Sequence, residues 1–167
     1  MGVRYEVKPT IWLTYSMSKT AEAIPISGDG RALGIMRKPR EWELNAWRGH
    51  VTALMPTAAL LGRAKSGEMS FAEYELALGE LWLSEGGVEA FAPNRLTFEA
   101  PHRYPGYGDN KAVRWDGSLW LPQGLVRDGD TLLCCCKDAS RCHRTPAAHL
   151  LAAAGWRVML DGEEVTP

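Results

Sequence analysis

Long apolar runs are missing from this chain. No stretch of 18 residues is apolar enough to span a bilayer, so no membrane partner is expected. Charge of one sign is equally scarce. Nineteen Lys and Arg stand against twenty Asp and Glu, a net charge of −1, which removes the broad positive field of a dedicated nucleic-acid binder. Cysteine is confined to four residues, all between positions 134 and 142, too close together to staple a fold by disulfides. The opening MGVRYEVKPT places charges where a secretory leader needs an apolar segment. A reducing cytoplasm is therefore the expected location, with the cysteines present as thiols or thiolates. Internal repeats, low-complexity tracts, a Gly-rich phosphate loop and a Ser/His/Asp ordering are also absent.

What remains is an ordinary globular composition, with 46% hydrophobic and 23% charged residues in a chain of 167. That length supports one domain over residues 1–167 with a sizeable core. TIWLTYSM (10–17) is rich in β-branched and aromatic residues and reads as a buried first strand. AIPIS (23–27) reads as a second, ended by the Gly-Asp-Gly turn at 28–30. From Glu41 to about Gly62 apolar residues recur at helical spacing and Pro56 interrupts them, which predicts two helices or one kinked helix. Ser70, three residues before Glu73, signals a capping box opening a helix through Leu83 that stops at Gly86-Gly87. Phe71, Tyr74, Leu78, Leu81 and Trp82 make its core-facing stripe.

Between about residues 90 and 122 regular patterning breaks down into a stretch rich in Pro, Gly and aromatics, which predicts an irregular insertion or lid. Beyond it, TLLCCC (131–136) reads as a strand, residues 145–154 as a helix capped by Gly155, and WRVML (156–160) as a final strand. Strand, helix, strand is a βαβ unit and calls for a mostly parallel sheet covered by helices.

In such a sheet the ligand crevice lies at the carboxyl ends of the strands, facing the amino ends of the following helices. The loop KDASRCHR occupies that place. A helix amino end favours an anion, and Arg141 and Arg144 are candidate bidentate partners for phosphate or carboxylate. Strand alternation puts Cys134 and Cys136 on one side and Cys135 on the other. Convergence of Cys134, Cys136, Cys142 and His143 would supply four soft ligands for zinc, although C-x-C-x5-C-H is not the spacing of a C-x2-C knuckle. A thiolate beside two arginines and a helix start would instead have a depressed pKa and nucleophilic character, with His143 as an acid or base. A third reading is that the thiols only line a pocket. Cys135-x5-Arg141 has the spacing of cysteine phosphatases but lacks the glycine that lets a backbone wrap an oxyanion, and no phosphatase is expected.

LLCCCKDASRCHRTPAAHLLAAAGWRV resembles the C-terminal signature of the domain-of-unknown-function 488 family, with Leu-Leu-Cys, a Cys-His-Arg block and a helix. IWLTYSMSK and AIPIS resemble the first two strands of its phage-associated branch, and LMPTAALLGRAKSGEMSFAEYELAL its helical middle. The likeness covers about two thirds of the chain, with 90–120 resembling an insertion. It implies a Rossmann-like three-layer α/β fold and no particular reaction. It places Cys134, Cys142, His143 and Arg144 on the family motif, and Tyr15 and Ser27 at strand ends facing the same crevice. Many members carry Glu where this chain has Cys136. The combined expectation is a phage or bacterial protein that binds a nucleotide or other phosphorylated small molecule at this site. Cys134, Cys142 and His143 are its candidate catalytic residues, and Arg144, Arg141, Tyr15 and Ser27 its candidate ligand-binding residues. A non-catalytic nucleotide-sequestering protein and a zinc-stabilised interaction module are the alternatives.

Overall fold

The computed structural model describes residues 7–15, 31–36, 49–99, 123–134, 136 and 138–167. Eight strands among them form one mixed sheet: β1 (Thr10–Tyr15), β2 (Ala32–Gly34), β3 (Gly49–His50), β4 (Thr97–Glu99), β5 (Gln123–Leu125), β6 (Thr131–Cys134), β7 (Arg157–Leu160) and β8 (Glu163–Val165). Their order is β5-β4-β3-β2-β6-β1-β7-β8. The inner strands from β3 to β7 pair parallel, while β4, β5 and β8 join antiparallel at the edges. The α-helices among the described residues are α1 (Ala58–Ser66), α2 (Phe71–Leu83) and α3 (Arg144–Ala153). The protein is thus of the α/β class.

The centre of the sheet follows from its sequence. All four residues of β6 are buried, as expected of a strand covered on both faces. β1 lies between β6 and β7, with Tyr15 opposite Cys134 and Leu13 opposite Leu160, and its Ile11 and Leu13 are wholly buried. The strand starts are pinned by two aspartates. Asp130, fully buried, accepts hydrogen bonds from Arg31 at 3.0 and 2.7 Å and from the Arg127 amide at 2.8 Å, and Asp128 accepts from the Thr10 amide at 2.7 Å. That clamp lies at the opposite end of β6 from its cysteine.

α3 crosses from β6 to β7 and lays Ala147, Ala148, Leu151 and Ala152 into the core. Three of those four are alanines, so the helix backbone can approach closely. α2 is fixed by the predicted capping box: Ser70 Oγ accepts from the Glu73 amide at 3.1 Å, and the Glu73 carboxylate accepts from the Ser70 amide at 3.3 Å. Trp82 is tied to the segment before α1 by its indole N–H, which donates to the Met55 carbonyl at 3.1 Å.

Several expectations are corrected. Gly49 and His50 form a short strand, and a 3₁₀ turn over Thr52–Leu54 follows, where helix was predicted; among the described residues of that stretch the α-helix begins at Ala58, and residues 41–48 lie outside them. The alternation of a two-residue strand is too short to register against helical spacing. In α2, Tyr74, Leu78 and Trp82 are buried, but Phe71 is half-buried and Leu81 is 36% exposed, so the core stripe is narrower than predicted. The strand predicted over 131–136 ends at Cys134, and α3 begins at Arg144. The hairpin between β7 and β8 was not anticipated. It turns on Asp161 and Gly162, both at positive φ (49° and 89°), the Asp-Gly signature of a two-residue hairpin loop. The strand predicted at AIPIS, and residues 100–122 of the predicted insertion, lie outside the described residues. Residues flanking the latter form β4 and β5.

Candidate functional site

β6 ends at Cys134, and a 3₁₀ turn over Ala139–Arg141 leads into Cys142 and α3. The turn is built by its own side chains. Asp138 accepts from the Ser140 amide at 2.9 Å and from its hydroxyl at 2.6 Å, bonds that also hold the Asp138 carboxyl below its ordinary pKa. Thr145 then donates its hydroxyl to the Ala139 carbonyl at 2.5 Å, closing the loop against the helix start.

This folding brings Cys134, Cys142 and His143 together. Their ligand atoms all lie within 4.8 Å of one another, and all three residues are buried. The two sulfurs stand 3.2 Å apart, and Cys134 Sγ is 3.8 Å from His143 Nδ1. His143 Nε2 is 2.5 Å from the Ile35 carbonyl oxygen. A carbonyl can only accept, so Nε2 carries a proton, and in the neutral ring Nδ1 presents its lone pair to the sulfurs. Cys142 is held as a thiolate, its pKa lowered from 9.0 to about 3. Hydrogen bonds from the Cys134 and Cys136 side chains are the main causes. Burial opposes them, and the Arg144 amide (3.5 Å from Sγ) and guanidinium add to them. The Cys134 and Cys142 sulfurs share a hydrogen bond, and Cys134 Sγ also lies within reach of the His143 Nδ1 lone pair, so the three side chains form one connected network. The same donor set is of the kind that holds a soft divalent metal. An imidazole whose second nitrogen is anchored on a backbone carbonyl is the usual companion of such a site.

Arg144 is wholly buried behind this cluster. Its guanidinium donates to the Cys136 carbonyl and to Asp161 Oδ2 at 3.1 Å, and lies 5.5 Å from the centre of the Tyr15 ring. Burial works against its charge, yet Cys142 and Asp161 raise its pKa overall. One side chain therefore joins the end of β1, the loop after β6, α3 and the turn after β7.

In front of the cluster is a cavity of about 560 Å³ between the loop and the α1–α2 hairpin. Cys136, Arg141, His143, Lys65, Phe71 and Tyr74 are among its walls. Of the residues expected at the site, Cys134, Cys142 and His143 converge, with Arg144 and Tyr15 stacked behind them. Arg141 faces the cavity from the loop. Cys136 borders the same cavity but stands outside the tight trio. Ser27 lies outside the described residues. Sequence reasoning missed Asp161, Lys65 and Tyr74. Asp161 had a signal in its Asp-Gly turn, whereas the two helix residues had none, because helical spacing gives no hint of which loop will face them. No family model matches the chain, and no curated protein or solved structure is significantly similar to it.

Proposed function

We propose that this chain is a Rossmann-like α/β protein, of the kind its resemblance to the domain-of-unknown-function 488 family implies, that binds a nucleotide or another phosphorylated small molecule beside the Cys134/Cys142/His143 cluster. The observation that carries the reading is the charge of the cavity wall: Lys65 and Arg141 border it, and none of the described residues lining it is acidic. Among the described residues an anion entering there meets Lys65 and Arg141 and no carboxylate, in a cavity of the size that suits organic ligands. Arg144 supports the floor by holding the loop and the thiolate in place. A thiol-dependent reaction is the catalytic form of this reading, with Cys142 as nucleophile and His143 as proton carrier. Sequestration of the ligand without turnover is the other form. The protein would work in the reducing cytoplasm of a bacterium or its phage.

A thermal-shift screen of nucleotides and sugar phosphates tests the binding claim. A ligand at 100 times its Kd raises stability by about 2.7 kcal/mol. Arg141→Ala should lower affinity roughly tenfold, and a panel without a single stabilising phosphate compound would count against the reading. Turnover that survives cysteine alkylation would remove the thiol from the chemistry.

A second reading has its own support in the close approach of the three soft donors. Zinc held by Cys134, Cys142 and His143 would keep a fourth position for Cys136 or a ligand. Zn–S bonds of about 2.3 Å at tetrahedral angles separate two sulfurs by about 3.8 Å, so the pair would have to spread slightly from 3.2 Å. Elemental analysis of purified protein should then find about one zinc per chain. Metal-free protein that also fails to take up added zinc would rule this reading out.

A further inference from the structure

The cavity carries one polar group that neither the loop chemistry nor the core explains. Tyr74, in the first turn of α2, is 2% exposed, and its hydroxyl has no hydrogen-bond partner among the described residues. A hydroxyl shut away from water without a partner carries a standing cost, and phenylalanine would fill a purely apolar site without it. Yet Tyr74 is not only a core residue, because its side of α2 forms part of the cavity wall with Cys136 and His143. Burial, reinforced by the nearby sulfurs of Cys142, Cys134 and Cys136, raises its pKa, so at neutral pH the phenol remains a donor. The same wall offers positive charge from Lys65 and Arg141 and apolar surface from Phe71 and Met69.

We infer that Tyr74 is a specificity-determining residue of this cavity, its hydroxyl donating to an acceptor on the inner part of an anionic ligand whose charge meets Lys65 and Arg141. The inference rests on the anion-binding reading above and adds the ligand class to it. The cavity is far larger than an inorganic oxyanion needs, and its mixed wall suits a molecule with an apolar or flat body, a hydrogen-bond acceptor on that body and an anionic group at the other end. A nucleoside monophosphate has that chemistry.

Two measurements on Tyr74→Phe test the inference. Without ligand the variant should melt at or above the temperature of the wild type, since it keeps the ring and loses an unsatisfied hydroxyl. A clear drop means that the hydroxyl already has a protein partner and overturns the assignment. With adenosine monophosphate as the probe, the variant should bind about tenfold or more weakly than the wild type, and inorganic phosphate should not discriminate between them. Equal nucleotide affinity overturns the role of Tyr74 and leaves the anion pocket standing. Failure of the wild type to bind both the nucleotide and inorganic phosphate overturns the pocket reading itself, and the ligand class with it.

Discussion

At the residue scale, Cys142 is the thiol whose surroundings in the candidate site shift it far from its ordinary behaviour. Cys142 has its thiolate stabilised by neighbouring thiol protons and by the amide and charge of Arg144. Its pKa of about 3 against an ordinary 9.0 means that the unfolded chain takes up a proton across that window while the folded chain does not. Stability therefore rises with pH from about 3 towards 9 and is lost as pH falls. Between pH 5 and 9, where few carboxylates titrate, thermal melts of the wild type should climb with pH, and those of Cys142→Ser should be flatter. Equal slopes would show that the thiolate is not preferentially stabilised in the fold. The sequence placed this cysteine beside two arginines and a helix start, which is why a depressed pKa was legible. It did not reveal that Cys134 and Cys136 would be the main donors.

Single elements hold the walls of the cavity in place. α2 carries Phe71 and Tyr74, and its start depends on the reciprocal bonds between Ser70 and Glu73. Ser70→Ala should cost about 1 kcal/mol in denaturant unfolding, and through the cavity wall it should weaken ligand binding as well. The sheet edge has a comparable local device. The Phe98 ring lies across β3 and β5 where each has a glycine, so a Cβ on Gly49 would come within 2.5 Å of the ring and of the Glu99 carbonyl, and one on Gly124 within 2.7 Å of the ring. Gly49→Ala should therefore destabilise by about 1–3 kcal/mol through overpacking, measurable as a lower denaturant midpoint. The capping box was readable because it is local, four residues wide and chemically specific. The narrowing of the α2 stripe and the strand at Gly49 were not, because the facing elements, not the spacing of apolar residues, decide which side chains are covered.

The whole molecule meets at Arg144, which links β1, the loop after β6, α3 and the turn after β7. Asp161→Asn keeps a residue that tolerates positive φ but removes the partner charge. Because Asp161 is 31% exposed, the cost should be about 2 kcal/mol, below that of breaking a fully enclosed pair. Adding Arg144→Met should restore part of that loss, since the buried charge goes with its partner; a double variant no more stable than the single one would argue against the pair as the source. From sequence alone came the α/β class, the buried strands around Ile11 and Leu132, the capped helix at Ser70 and the loop that gathers Cys142, His143 and Arg144, because each is written in local periodicity, capping or spacing. Tertiary structure alone decided that Ile35 sets the imidazole tautomer, that Asp161 holds Arg144, and that Lys65 and Tyr74 face the thiol loop. Those pairings join residues from 17 to 108 positions apart, and no local pattern encodes which distant elements packing will bring side by side.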